Sequence, residues 1–139
     1  MLKLSTIVTR TDPVRRSNAK FVRLVQFKAG YTPRGTGYAA CKSYSTHHYD
    51  VHGRVRVNPD RTRYVTVVEF IDKKLHVNVS CSCPDFMYRY EYALHKRKAA
   101  DLEYSNGQPP DMTNPTQVVG QCKHLVALYL KLRNQIAGL

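Results

Sequence analysis

Tryptophan is absent from this chain, glycine is limited to 7 residues, and the longest apolar run is the six residues Leu125 to Leu130. A membrane-spanning helix needs about 20 apolar residues, so no such segment is expected. The N-terminus, M-L-K-L-S-T-I-V-T-R, lacks the apolar stretch and small-residue cleavage site of a secretory leader, so secretion by that route is not expected. Four cysteines in 139 residues are too few for a disulfide scaffold. Catalytic signatures are missing as well. There is no glycine-rich phosphate loop with a lysine, no H-E-x-x-H and no nucleophile elbow, and Glu91 and His95 stand at helical i,i+4 spacing, which is normally that of a surface pair. The sequence is therefore read as that of a non-enzyme, with no small-molecule substrate and no membrane partner.

Acidic side chains are also scarce: 10 Asp and Glu stand against 22 Lys and Arg, for a formal charge of +12 and a pI near 9.8. Residues 1–63 carry +10 of that charge and residues 64–139 only +2. Such an excess implies an acidic partner, met mainly by the N-terminal half. Arg15, Arg16, Arg54, Arg56, Arg61 and Arg63 are the candidate contacts to nucleic acid or another acidic partner. Tyr31, Tyr38, Tyr44 and Tyr49 fit no core pattern, lie interleaved with Arg34 and Lys42, and are candidate interface residues.

At 42% hydrophobic residues the chain can form one domain with a real core. Residues 1–20 read as an extended basic arm and 21–139 as a single α+β domain. Residues 21–28 suggest a strand. Residues 29–50, rich in turn formers, suggest a long loop with at most one short strand. Val51, Val55 and Val57 alternate with His52, Arg54 and Arg56, the period of a half-buried strand. Residues 63–71 and the alternation Leu75, Val77, Val79 complete an antiparallel meander. A helix is expected from Pro84-Asp85 through Leu102, ended by Asn106-Gly107. A second follows Gly120 and buries Leu125, Leu128, Leu132 and Ile136.

Cys81 and Cys83 continue the parity of Val77 and Val79, so both thiols face one point. Cys122 and His124 open the last helix, whose N-terminal dipole favours thiolates. Three sulfurs and one imidazole form the closed tetrahedral set that Zn²⁺ takes in structural sites, and iron is the alternative metal. The competing reading is a group of buried core thiols. Cys41, His47, His48 and His52 match no finger spacing, and surface histidines in a loop are the default reading there.

The pattern C-S-C-P-D-F … C-K-H-L-V-A-L resembles the SWIM zinc finger, C-x-C followed by C-x-H, over roughly residues 62–133. The resemblance implies one structural zinc held by Cys81, Cys83, Cys122 and His124. The spacer, residues 84 to 121, is longer than the family's usual range. That long-spacer form, with F-M-Y-R-Y-E-Y-A and N-G-Q-P-P … N-P before the second half-site, resembles small SWIM-like proteins of tailed bacteriophages. It implies a structural or assembly component of the virion, in tail, baseplate, neck or capsid, assembled in the host cytoplasm and contacting other virion proteins or its own copies. The alternative is a nucleic-acid-binding SWIM module using the basic N-terminal half.

Overall fold

The computed structural model describes residues 1–102 and 113–139. The chain runs β1 (Leu2–Lys3), α1 (Leu4–Arg10), α2 (Pro13–Asn18), a 3-10 turn, β2 (Val22–Tyr31), β3 (Gly37–Ser45), β4 (His47–Tyr49) and β5 (Val55–Val57). It continues through β6 (Tyr64–Phe70), β7 (His76–Cys81), a π-helical turn (Phe86–Tyr90), α3 (Glu91–Lys96) and α4 (Lys123–Leu132). Five strands form an antiparallel sheet in the order β1-β7-β6-β3-β2, and β4 and β5 form a separate ribbon. The class is α+β, with four α-helices among the described residues.

The strands β6 and β7 follow from their alternation. Thr66, Val68, Val77, Val79 and Cys81 point inward and are buried, while the residues between them face away. The inward face packs on Leu4 and Ile7 of α1, Phe86 and Tyr90 of the π turn, Leu94 of α3, and Leu125, Leu128 and Leu132 of α4. The core thus lies in one layer between the sheet and the helices, with Cys81, Cys83 and Cys122 inside it.

Four sequence expectations are corrected. Residues 1–20 are not an extended arm. Leu2 and Lys3 pair with β7, and Leu4, Ile7 and Val8 bury one side of α1. Asp12 then caps α2, its carboxylate accepting from the Arg15 amide at 3.1 Å, with Pro13 at the first helical position. Residues 29–50 are no long loop but the β2–β3 hairpin and β4. The inward side of β3 is Ala39, Cys41, Ser43 and Ser45, residues too small or polar to announce a strand. The valines expected to be half-buried are in the open: Val51 is 95% exposed, Val55 51% and Val57 63%. β5 pairs with β4 in the separate ribbon rather than joining β6 and β7 in a meander, and that ribbon packs on Phe21 through His47 and Tyr49 of β4 while the β5 valines stay in the open.

The helix from Pro84 stops at Lys96 rather than passing Leu102. The chain folds back there in a Schellman turn: Ala99 N–H donates to Leu94 O and Lys98 N–H to His95 O, with Lys98 at φ 59°. Ala99 then accepts from Val79 N–H at 2.8 Å, and the edge of β7 gains a partner it would lack if the helix continued. The expected stop at Asn106-Gly107 lies outside the described residues.

Candidate metal centre

β7 carries Cys81 at its end, and one further residue continues the pairing. Ser82 N–H donates to Val65 O at 3.0 Å and Val65 N–H to Ser82 Oγ at 2.9 Å, which fixes Cys83 on the side of Cys81. Cys83 also opens the next helical segment, its carbonyl accepting from Met87 N–H. Cys122 is the N-cap of α4, in extended conformation, with its carbonyl accepting from Val126 N–H. Two of the three thiols therefore sit at helix N-termini, where the backbone dipole favours a thiolate.

The ligand atoms of Cys81, Cys83, Cys122 and His124 all lie within 4.8 Å of one another, and all four residues are buried. A tetrahedron with metal–sulfur bonds of ~2.3 Å has edges of about 3.8 Å, so a metal ion needs only a small contraction of this set. The surroundings fit an ion too. His124 Nδ1 is buried without a hydrogen-bond partner. Phe86 N–H donates to Cys83 Sγ at 3.4 Å, and the Thr66 hydroxyl lies 3.4 Å from Cys81 Sγ. The Tyr64 ring packs on the His124 ring at 5.2 Å and orients it. A cavity of about 230 Å³, lined by Tyr64, Asp60, Lys123, Cys83, Cys122 and His124, reaches the cluster and supplies an entry path.

The thiols titrate as a group. Hydrogen bonds from the Cys122 and Cys83 thiols pull Cys81 well below the usual thiol range, while burial pushes Cys122 well above it. Desolvation and mutual repulsion oppose further charge within the cluster, and a bound cation would offset both. The described residues bring the four ligands together from two half-sites separated by the 38 residues 84 to 121.

The other candidates fare differently. Cys41 points inward on β3, and burial raises its thiol to about 11, but it does not join His47, His48 or His52. His47 packs against Phe21 and bonds Thr46, while His48 and His52 are exposed. Among the described residues no second His, Cys or carboxylate group has metal-binding geometry. Arg15 is not a free cation. Its guanidinium is bidentate to Asp85 at 2.7 Å and reaches Asp12 at 2.8 Å. Arg56 pairs with Asp50 at 2.9 Å. Arg16, Arg54, Arg61 and Arg63 are exposed. Tyr31 is 81% exposed, Tyr38 and Tyr44 lie half-buried on the outer side of the sheet, and Tyr49 packs edge-on against Phe21.

Sequence reasoning missed two supports of the cluster. Thr66 had a readable signal, a polar residue at the inward parity of a valine strand. The Arg15–Asp85 clamp, 70 residues apart in sequence, had none.

No family model, curated protein or solved structure matches this chain.

Proposed function

We propose that the cluster holds one structural Zn²⁺ and that the protein is a non-catalytic, SWIM-like assembly component of a bacteriophage particle. The observation that carries the metal reading is the convergence of four buried ligand atoms from the end of β7 and the start of α4. Three thiolates and one imidazole fill all four tetrahedral positions and leave none for substrate, which favours a structural over a catalytic ion. The ion would tie the sheet to its covering helix and link folding to metal binding. The phage reading rests on the long-spacer resemblance of C-S-C-P-D-F … C-K-H. Its test is assembly: the metal-loaded protein, freed of nucleic acid, sediments as an oligomer or co-sediments with virion proteins. A monomer that binds none of them contradicts it.

A second reading, nucleic-acid binding, is favoured by the exposure of Arg16, Arg54, Arg61 and Arg63. Arg15 and Arg56 drop out of that set, because intramolecular carboxylates already hold them. Neutralising about four phosphates gives a log–log salt slope near −3.6 on duplex DNA. Affinity that ignores salt contradicts this reading.

A further inference from the structure

The five-stranded sheet has two faces, and the helices cover one. Ala39, Cys41, Val68, Val77 and Val79 point into the core, so the residues alternating with them point out. Their pairing gives rows across the outer face. Arg23 stands beside Tyr44. Val25 stands beside Lys42, which stands beside Val65. Lys28 stands beside Ala40, then Val67 and Ser80. Gly30 stands beside Tyr38, then Glu69. Arg23, Lys28 and Lys42 are exposed, and so is Val65, at 40%.

We propose that this outer face, on its β2–β3–β6 side, binds single-stranded nucleic acid. The inference deepens the nucleic-acid reading above and rests on it, naming a strand type and a surface. Three features carry it. First, charge: Arg23, Lys28 and Lys42 share the face, and the Arg61 and Arg63 guanidinium groups lie over the Tyr44 ring at 5.8 and 5.7 Å. Glu69 is the one acidic residue in these strands, and Arg34 and Thr36 already hold its carboxylate. Second, flat rings: Tyr38 lies across Gly30, so close that a Cβ there would meet its Cε1 at 3.4 Å. Tyr38 and Tyr44, six positions apart on β3, stand about 20 Å apart on one face. Third, relief: Ala40, in the row next to Tyr38, leaves low ground on β3 between that ring and Lys42. An unpaired strand presents base faces to such rings and phosphates to the flanking cations, whereas duplex DNA hides its base faces. An acidic protein would use the cations and leave the rings idle.

The test is fluorescence anisotropy of the metal-loaded full chain with a labelled oligo-dT and a duplex of equal length, from 50 to 300 mM salt, beside Lys28→Glu, Lys42→Glu, Tyr44→Ala and Lys96→Glu. These side chains are exposed or at the surface, and unchanged melting of each variant verifies its fold. The expected result is preference for oligo-dT, a salt slope between about −2 and −3.5 at ~0.7 per phosphate, and affinity at least about 5-fold weaker in each sheet variant. A charge reversal on the helix-covered side, Lys96→Glu on α3, should stay within about 2-fold. Binding lost in Lys96→Glu but kept in the sheet variants overturns the surface and leaves the nucleic-acid reading standing. Equal or better binding of duplex overturns the strand type. No binding of either nucleic acid, or equal capture of poly-glutamate, overturns both.

Discussion

Replacing Arg15 with alanine should destabilise the protein rather than only reduce its positive charge. The guanidinium makes two bonds of 2.7 Å to Asp85 and one of 2.8 Å to Asp12, and it lies 5.3 Å from the Tyr90 ring. It joins α2 to the turn that begins one residue after Cys83. Charged hydrogen bonds contribute about 1.5–3 kcal/mol each when shielded. Here Arg15 is 24% exposed and its partners 37–38%, so solvent screening discounts them strongly. The net expected loss is about 2 kcal/mol, or a fall in Tm of roughly 6–10 °C for a chain of this size. Calorimetry on wild type, Arg15→Ala, Asp85→Asn and the double variant measures it, with a coupling of about 1 kcal/mol expected between the two sites. The pH dependence has a definite sign. Burial opposes ionisation of Asp12, but hydrogen bonds from Arg15 outweigh it and hold the carboxyl below its usual value. A depressed carboxyl stabilises the fold above its unfolded pKa of about 3.9, and that contribution is lost as pH falls through the folded value. The Asp12 share of the Arg15→Ala penalty should therefore be constant from about pH 5 to 8 and shrink below about pH 4. A Tm change under about 2 °C at neutral pH, with no coupling, refutes the reasoning.

Three more outcomes are expected. Gly120→Ala should cost about 1–3 kcal/mol, because the new Cβ would sit 2.8 Å from the buried Tyr90 ring; chemical denaturation measures it, and a neutral effect contradicts the close packing. Lys98→Gly should stabilise by about 1 kcal/mol, since glycine relieves the left-handed φ of 59° at the end of α3; an unchanged or lower Tm contradicts this. Cys41→Ala should keep the full metal content, and Cys41 in the wild type should alkylate slowly at pH 8, because its thiol is buried and raised to about 11; metal loss or rapid labelling contradicts its placement outside the cluster.

The candidate metal cluster was legible because both half-sites obey local rules. Strand parity aligned Cys81 with Cys83, and a helix start placed Cys122 and His124. β6 and β7 were legible from valine alternation. The remainder depended on partners far away in the chain. In α1, Leu4, Ile7 and Val8 have helical spacing, but seven residues without a side-chain cap need α4 and the sheet to hold them. In α2, Asp12-Pro13 was a readable helix start that the surrounding charge obscured. β3 carries serines and a cysteine inward, so its alternation lacks the contrast a strand pattern needs. Val55 and Val57 alternate with arginines as a buried strand would, yet whether a second layer covers them is not written locally. The helix stop at Lys96 is set by the need of β7 for an edge partner, a tertiary demand that overrides the helical pattern beyond it.

The central claim is that one metal ion ties β7 to α4. The direct measurement is metal content per chain by elemental analysis on wild type and Cys122→Ser, with melting followed in the presence and absence of a chelator. The account expects about one zinc per wild-type chain, its loss in Cys122→Ser, and a wild-type Tm that collapses on chelation. A folded wild type that contains no metal, and whose melting ignores the chelator, would contradict it and return the three thiols to the role of core side chains.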